Sequence, residues 1–459
     1  MSGKNTKNVI FALEKRNVML TDNALHYTLS HLLKVALPSH EAAHFSFTCD
    51  GQKVSVTINE QVRISIALLS EQEREALLQG NAPVLHHPSA DGTVEIPVFQ
   101  PSAGKLAQPT VNDNGELEIP YDLITPSFLL LSRKEEEGHP RDTHGRFRYQ
   151  DSLAKHYNFI HLPLADEYAM LLRQWIFGLL KPDFEIIPRQ YQFIPTHDID
   201  LLHRFQSTWQ AFKSIMGRDL ILEHSWKATT QSIREYRQWR ADSRQDPYIT
   251  AIMELARESE KRHLSPVFFF KAQHSGEPDS TYDIEDPNVR YCIDAILEAD
   301  MKVGLHGSYR SYDITELFAV EKNRLEKITS APITHSRQHY LRFGTDTLAV
   351  WQACGITDDY TLCYAEQPGF RCGTCHPYPL YDLTNDCATD IIEHPLIVMD
   401  GSLLEYLHAS IDESNDIIGR LRARCEAVEG DFIILWHNHL LSRNYQTAYH
   451  QIYLHQLNK

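Results

Sequence analysis

The chain has 459 residues, 42% hydrophobic and 23% charged, enough for two or three domains each with its own core. Its formal net charge of −17 excludes a general phosphate-backbone binder, whose surface is basic, so no nucleic-acid partner is expected. Gly and Pro, at 20 and 22 residues, are too few for long disordered tracts. No run of about 18 apolar residues occurs, so no membrane span is expected. Glu14, Lys15 and Arg16 cut short the first apolar run, which rules out a signal-peptide core. Eight irregularly spaced cysteines then read as reduced thiols, and a cytoplasmic location is expected.

In chain order, Asn8–Leu20 and Ile64–Leu69 have the composition of strands. Phe45 to Ile58 alternates apolar and polar residues on both sides of Asp50-Gly51, which predicts a hairpin. Residues 80–120 place Pro, Gly, Asn and Asp between short apolar pieces, as loops and short strands do. Asp142-Thr-His-Gly-Arg-Phe-Arg is polar and irregular. Ala165–Leu180 has helical periodicity and stops before Lys181-Pro182, because proline cannot continue a helix. Residues 1–185 therefore read as an α+β domain without a visible catalytic set.

From residue 186 to 459 the pattern changes. Strand-like runs at Phe193–Thr196, Pro266–Lys271, Lys302–Leu305, Ala331–Ser336, Asp359–Tyr364, Leu396–Met399 and Phe432–Trp436 alternate with helical stretches such as Ile249–Arg262, Val289–Ala299 and Ile314–Thr329. Seven such β units predict a parallel sheet, either closed as a barrel or wound as an open α/β sheet. In barrels the reactive side chains collect at the C-terminal strand ends. Asp198, Asp200, His306, His335, His339, Asp400, His437 and His439 lie at or just beyond those ends.

Gln192-Phe-Ile-Pro-Thr-His-Asp-Ile-Asp carries most of the chemistry. Side chains alternate along a strand, so Asp198 and Asp200 share one face and His197 takes the other. Two carboxylates that close repel unless one is protonated or a cation lies between them. A site that needs one general base and one metal ligand is built this way. A lone strand-end His306 is ordinarily a hydrogen-bonded structural residue, but beside the Asp pair it becomes a candidate metal ligand. His335 and His339 are spaced i, i+4, and His339 is the preferred ligand of the two. Arg371 could orient a catalytic carboxylate through a bidentate pair, its plain alternative being an ordinary salt bridge. Asp400 ends a strand where it could hold Arg371 or His437, and His437 could protonate a leaving group. Cys372 and Cys375 form a CxxC, but no second CxxC accompanies it, so no metal or redox role is assigned to it.

Taken in order, these strings resemble the motifs of the polysaccharide deacetylase superfamily, carbohydrate esterase family 4. Thr196-His-Asp-Ile-Asp resembles the first motif, Leu305-His-Gly-Ser-Tyr the second and Gly369-Phe-Arg the third. Val398-Met-Asp resembles the fourth motif and Leu435-Trp-His the fifth. His-Asp-Ile-Asp, Arg-Gln-His-Tyr and Gly-Phe-Arg-x-Gly-Thr look like a branch found with bacterial surface-polysaccharide genes and carrying an extra N-terminal domain. Arg146-Phe147 and Pro163–Tyr168 are similar to the end of that domain.

The resemblance implies a distorted (β/α)7 barrel after the smaller α+β domain, and a divalent metal, often zinc. It implies Asp198 as base, Asp200 and His306 as metal ligands, and Arg371, Asp400 and His437 in the catalytic set. Two departures stand out. Ile199 separates two Asp residues that are usually adjacent, and Arg310 stands where the second motif usually has another histidine. His339 is therefore taken as the recruited third ligand. The activity implied is removal of N-acetyl groups from a sugar or glycan precursor. Two alternatives stay open: a sugar-binding or assembly protein whose metal site has decayed, and a hydrolase of a non-sugar, cyclic amide.

Overall fold

A computed structural model describes residues 20–38, 44–102, 108–216, 224, 226–272, 279, 282–441 and 446–458. The expected strand Asn8–Leu20 falls almost wholly outside them. The hairpin around Asp50-Gly51 is present: β1 (Phe45–Cys49) pairs antiparallel with β2 (Lys53–Ile58), which pairs with β3 (Val62–Ala67). Asp50 Oδ1 accepts the Gln52 and Lys53 amides at 2.9 Å, and Gly51 takes φ +87°, which a residue with a Cβ resists. Along β2 the alternation does what the sequence predicts, burying Val54, Val56 and Ile58. A separate hairpin, β4 (Leu85–Pro88) with β5 (Glu95–Val98), follows. β6 (Thr110–Val111) and β7 (Leu117–Ile119) complete the first sheet, in the order β1-β2-β3-β7-β6.

Helices Asp22–Ala36 and Leu164–Trp175 pack together on this part of the chain. The latter was expected to run to Leu180; instead its last turn, Ile176–Leu180, widens to a π-helix and ends at Lys181 with φ 50°, just before Pro182. The first helix serves two cores. Leu25, Leu29 and Leu32 join the N-terminal cluster, while Ala24 and Tyr27 join the cluster of the second sheet. No helix among the described residues is long and apolar enough to cross a membrane.

The second sheet has the strand order β13-β14-β12-β11-β10-β9-β8-β16-β15. Its strands are β8 (Gln192–Ile199), β9 (Val267–Phe270), β10 (Lys302–Gly307), β11 (His335–Gln338), β12 (Asp358–Asp359), β13 (Tyr378–Asp382), β14 (Cys387–Glu393), β15 (Leu396–Met399) and β16 (Asp431–Leu435). All neighbours are parallel except β13 with β14. Strands β9 and β16 are nearly continuous apolar runs, buried throughout because both faces are covered. Two of the helices between them, Pro247–Glu260 and Pro287–Glu298, begin where Asp precedes Pro. Asp246 and Asp286 cap the amides of Tyr248 and Asn288, and the proline fills the first helical position, where no amide donor is needed.

The seven expected units differ from what is observed, since hairpin β13–β14 adds two strands at one edge. Only His394 and Pro395 separate β14 from β15 at the opposite edge, and two residues reach no further than about 7–10 Å. The sheet must therefore curl until its two ends nearly meet. One extended segment, residues 387–399, pairs with β12 through its first half and with β16 through its second. This geometry is a curled, barrel-like sheet.

A buried acidic pair ties the two parts of the chain together. Glu136 accepts Nη2 of Arg371 and Nη1 of Arg141, each at 2.7 Å. Burial works against its charge, but Arg371, Arg133 and Arg141 outweigh burial and hold Glu136 at about 2. Neighbouring Glu135 accepts only the Leu153 amide at 2.8 Å, and burial pushes its pKa up to about 8, with the Glu136 charge adding to that. A carboxyl whose folded pKa exceeds its unfolded value stabilises fully below the unfolded pKa and loses that contribution as pH rises through the folded one. Wild type should therefore lose stability between about pH 4.5 and 8 by on the order of 1.4 kcal/mol per pKa unit from this group. Glu135→Gln keeps the acceptor and cannot ionise. Its melting temperature should exceed that of wild type at pH 8 and match it near pH 5; parallel curves would refute this account.

Candidate active site

β8 carries Asp198 and, just past its end, Asp200, with one residue between them so that both face the mouth of the curled sheet. His197 turns away into the core, its Nδ1 at 3.0 Å from the Trp436 carbonyl and its Nε2 at 3.3 Å from the Tyr453 hydroxyl. Asp198 is 2% exposed and accepts Nη1 of Arg337 at 3.0 Å, while its other oxygen lies 3.6 Å from His306 Nε2. Burial raises the Asp198 pKa, and the charges of His306, Arg337 and His437 outweigh it, so the carboxyl stays below the ordinary aspartate value.

Asp200, His306 and His339 each offer a ligand atom within 4.8 Å of the other two. The donor set fits a divalent cation on three counts. The His306 Nδ1–H donates to the Arg337 carbonyl at 2.9 Å, which leaves Nε2 with its lone pair turned toward the two carboxylates. That Nε2 and Asp200 Oδ1 are both buried without a hydrogen-bond partner, although they lie 3.3 Å apart. His339 Nδ1 meets Asp279 Oδ1 at 2.8 Å, the carboxylate–imidazole pairing that orients metal-ligating histidines. Burial lowers the His339 pKa to about 4, so the ring is neutral and able to ligate at neutral pH. Lone pairs that converge in this way repel one another unless a cation lies among them.

One internal cation is already close. Lys271 Nζ lies 3.2 Å from Asp200 Oδ1, 3.0 Å from His339 Nε2 and 3.1 Å from its Nδ1, and the side chain is 2% exposed. Among the causes that set the Asp200 pKa, burial raises it, but Lys271 and the two histidines prevail and hold it well below the usual range.

On the other wall, Asp400 Oδ1 lies 2.7 Å from His437 Nδ1, and Oδ2 accepts the His437 amide at 2.7 Å. His437 Nε2 is thereby aimed inward, 3.7 Å from Asp200 Oδ2. Burial lowers the His437 pKa, but Asp400, Asp200 and Asp198 raise it further, to about 10. The imidazolium is therefore the resting form at neutral pH. Asp198, Asp200, His306, His339 and His437 line a cavity of about 230 Å³, whose wall also includes Arg146, Tyr340, Tyr406 and His439.

One expectation needs correction. Arg371 does not reach a carboxylate of the site; it donates to Glu136 at 2.7 Å and to the Cys363 carbonyl at 2.9 Å, because its loop faces the N-terminal part of the chain. The guanidinium on Asp198 is that of Arg337. Asp400 accordingly holds His437 and not Arg371. His335 stands at the opening residue of β11, stacked on Tyr360, one strand length from His339. Arg310 is exposed.

Arg337 was findable, since it lies two residues before His339 and shares its strand face by the same alternation that joined Asp198 to Asp200. Lys271 ends its strand as His306 does and was equally legible. Asp279 comes from a connecting segment with no local signal. Asp166, Cys375 and His376 also cluster, but the Asp166 oxygens already accept the Thr374 hydroxyl at 2.7 Å and the Cys375 amide at 2.8 Å, which makes them a buried structural network.

The model of a family of unknown function (DUF7033) matches residues 18–180. Comparison with curated proteins finds no match. Among solved structures, the chain is similar to a candidate polysaccharide deacetylase from Mycobacterium smegmatis, with 12% identity, 60% of this chain and 87% of that one covered, and a TM-score of 0.38. A family 4 carbohydrate esterase from Streptomyces lividans, in complex with acetate, shows 13% identity over 58% of this chain and 87% of its own, with a TM-score of 0.26. A family 4 pseudoenzyme from Bacillus anthracis shows 8% identity over 59% and 62%, with a TM-score of 0.30. These neighbours include a pseudoenzyme as well as an esterase.

Proposed function

We propose that this chain is a metal-dependent hydrolase that removes N-acetyl groups from a sugar or glycan precursor in the cytoplasm. In this reading residues 1–185 are an accessory domain and residues 186–459 the deacetylase domain. The observation that carries it is the meeting of Asp200, His306 and His339, whose ligand atoms lie within 4.8 Å of one another, between a held carboxylate and a held imidazolium. Asp200 Oδ and the Nε2 atoms of His306 and His339 would hold a divalent cation, zinc by their chemistry. Such an ion supplies Lewis-acid polarisation of an acyl carbonyl and acidification of water. Asp198, kept ionised by Arg337, takes the proton from the attacking water. His437, kept charged by Asp400, delivers a proton from Nε2 to the departing amine. Arg337 and Asp400 act as positioning residues.

The Lys271 ammonium favours a second reading, in which an internal cation balances the carboxylates of a sugar-binding protein that does no hydrolysis. Metal content of the purified protein separates the two. The hydrolase requires about one divalent ion per chain, lost in Asp200→Ala, His306→Ala and His339→Ala. Wild type that takes up no zinc on addition sinks the hydrolase. A panel of N-acetylated sugars beside cyclic amides then identifies the substrate class.

A further inference from the structure

The loop Arg141–Phe147, which the sequence leaves irregular and without a role, reaches across to the mouth of the curled sheet. Arg141 and Phe147 bridge its ends, and Asp142 Oδ1 accepts the amides of His144 and Arg146 at 2.8 Å each. Asp142 Oδ2 accepts Arg146 Nε at 2.7 Å, which fixes the guanidinium. From there Arg146 Nη1 donates to the Tyr340 carbonyl at 3.2 Å. Tyr340 and Leu341 follow His339 directly and have φ 62° and 54°. Two successive left-handed residues with Cβ atoms are costly, and such a turn persists only where its surroundings over-determine it.

The surroundings here are the loop. The His144 ring lies 4.5 Å from that of Tyr340, and the His144 carbonyl accepts Arg342 Nε at 2.7 Å. His339 stands between the end of β11 at Gln338 and this turn, so the turn fixes the backbone on its C-terminal side. We propose that Arg146 is a positioning residue for His339, so that a loop from the N-terminal part of the chain completes the candidate metal site by clamping a strained turn. The proposal rests on the metal reading above and adds where the third ligand gets its geometry.

The test uses Co2+ binding to the full chain, followed by visible absorption and by competition with a chelator, together with a crystal structure of R146A. R146A and H144A should each weaken Co2+ affinity about 10–100-fold, the usual effect of losing an outer partner of a ligand, with little change in melting temperature. Asn tolerates the left-handed region better than Tyr, so Y340N in the R146A background should recover affinity; a residue needed only for stability would show no such rescue. H144A and R146K carry the test if R146A does not fold. Unchanged Co2+ affinity in R146A overturns the proposal. Wild type that binds no Co2+ defeats the metal reading itself, and the brace is then judged on the crystal structure of R146A, where an unmoved left-handed turn overturns it.

Discussion

Asp198→Asn should lower kcat by about 10²–10⁴-fold while leaving metal content and substrate KM near those of wild type. The asparagine keeps the shape and the contact with Arg337 but cannot take a proton. Asp198 is suited to the base role because its Oδ1 is anchored at 3.0 Å by Arg337, while Oδ2 faces the cavity beside His306. Asp200 faces both histidines and the Lys271 ammonium, which lies 3.2 Å from its Oδ1, so its charge is already engaged. Loss of the metal rather than of turnover in Asp198→Asn would reverse the two roles. Retained turnover would remove Asp198 from the mechanism.

Asp400→Asn should cost about 10²-fold or more in kcat and move the alkaline limb of the pH–rate profile to lower pH. Asp400 grips both the ring and the amide of His437, and after burial it leads the causes that set the His437 pKa at about 10. A general acid works only while protonated, so activity falls as pH rises through its pKa. With Asp400 neutral, that pKa drops toward the ordinary imidazole value, and the loss begins earlier. A bound divalent cation lowers the limb in wild type and variant alike, so the difference between them is the measured quantity. The same group contributes stability that is fully present below about pH 6.5 and lost as pH rises through about 10. An alkaline limb that does not move in Asp400→Asn would show that His437 is not the acid.

What the sequence determined by itself was local and periodic. Alternation along a strand put Asp198 with Asp200 and turned His197 away, and apolar runs alternating with helical stretches marked the strands of a parallel sheet. The strand-end rule collected Asp198, Asp200, His306, His339, Asp400, His437 and His439 before any contact among them was visible, because in a parallel sheet all strands end on one face, but it also took in His335, which opens its strand instead of ending it. The same rules apply to Arg337 and Lys271, which are not among the candidates named from the sequence.

The tertiary structure decided which side chains meet across the sheet. Arg371 was tied by motif order to the site, yet its loop turns toward Glu136 of the N-terminal part, and Arg337 takes the place on Asp198. Closure was likewise invisible locally, since it depends on a two-residue link that lets residues 387–399 pair with β12 and then β16. Asp279 and Arg146 reach the His339 turn from segments with no periodicity of their own. Propensity and alternation act over a few residues of one chain segment. The partners of a buried charge are chosen by the packing of elements hundreds of residues apart, where an unpaired charge is too costly to leave alone.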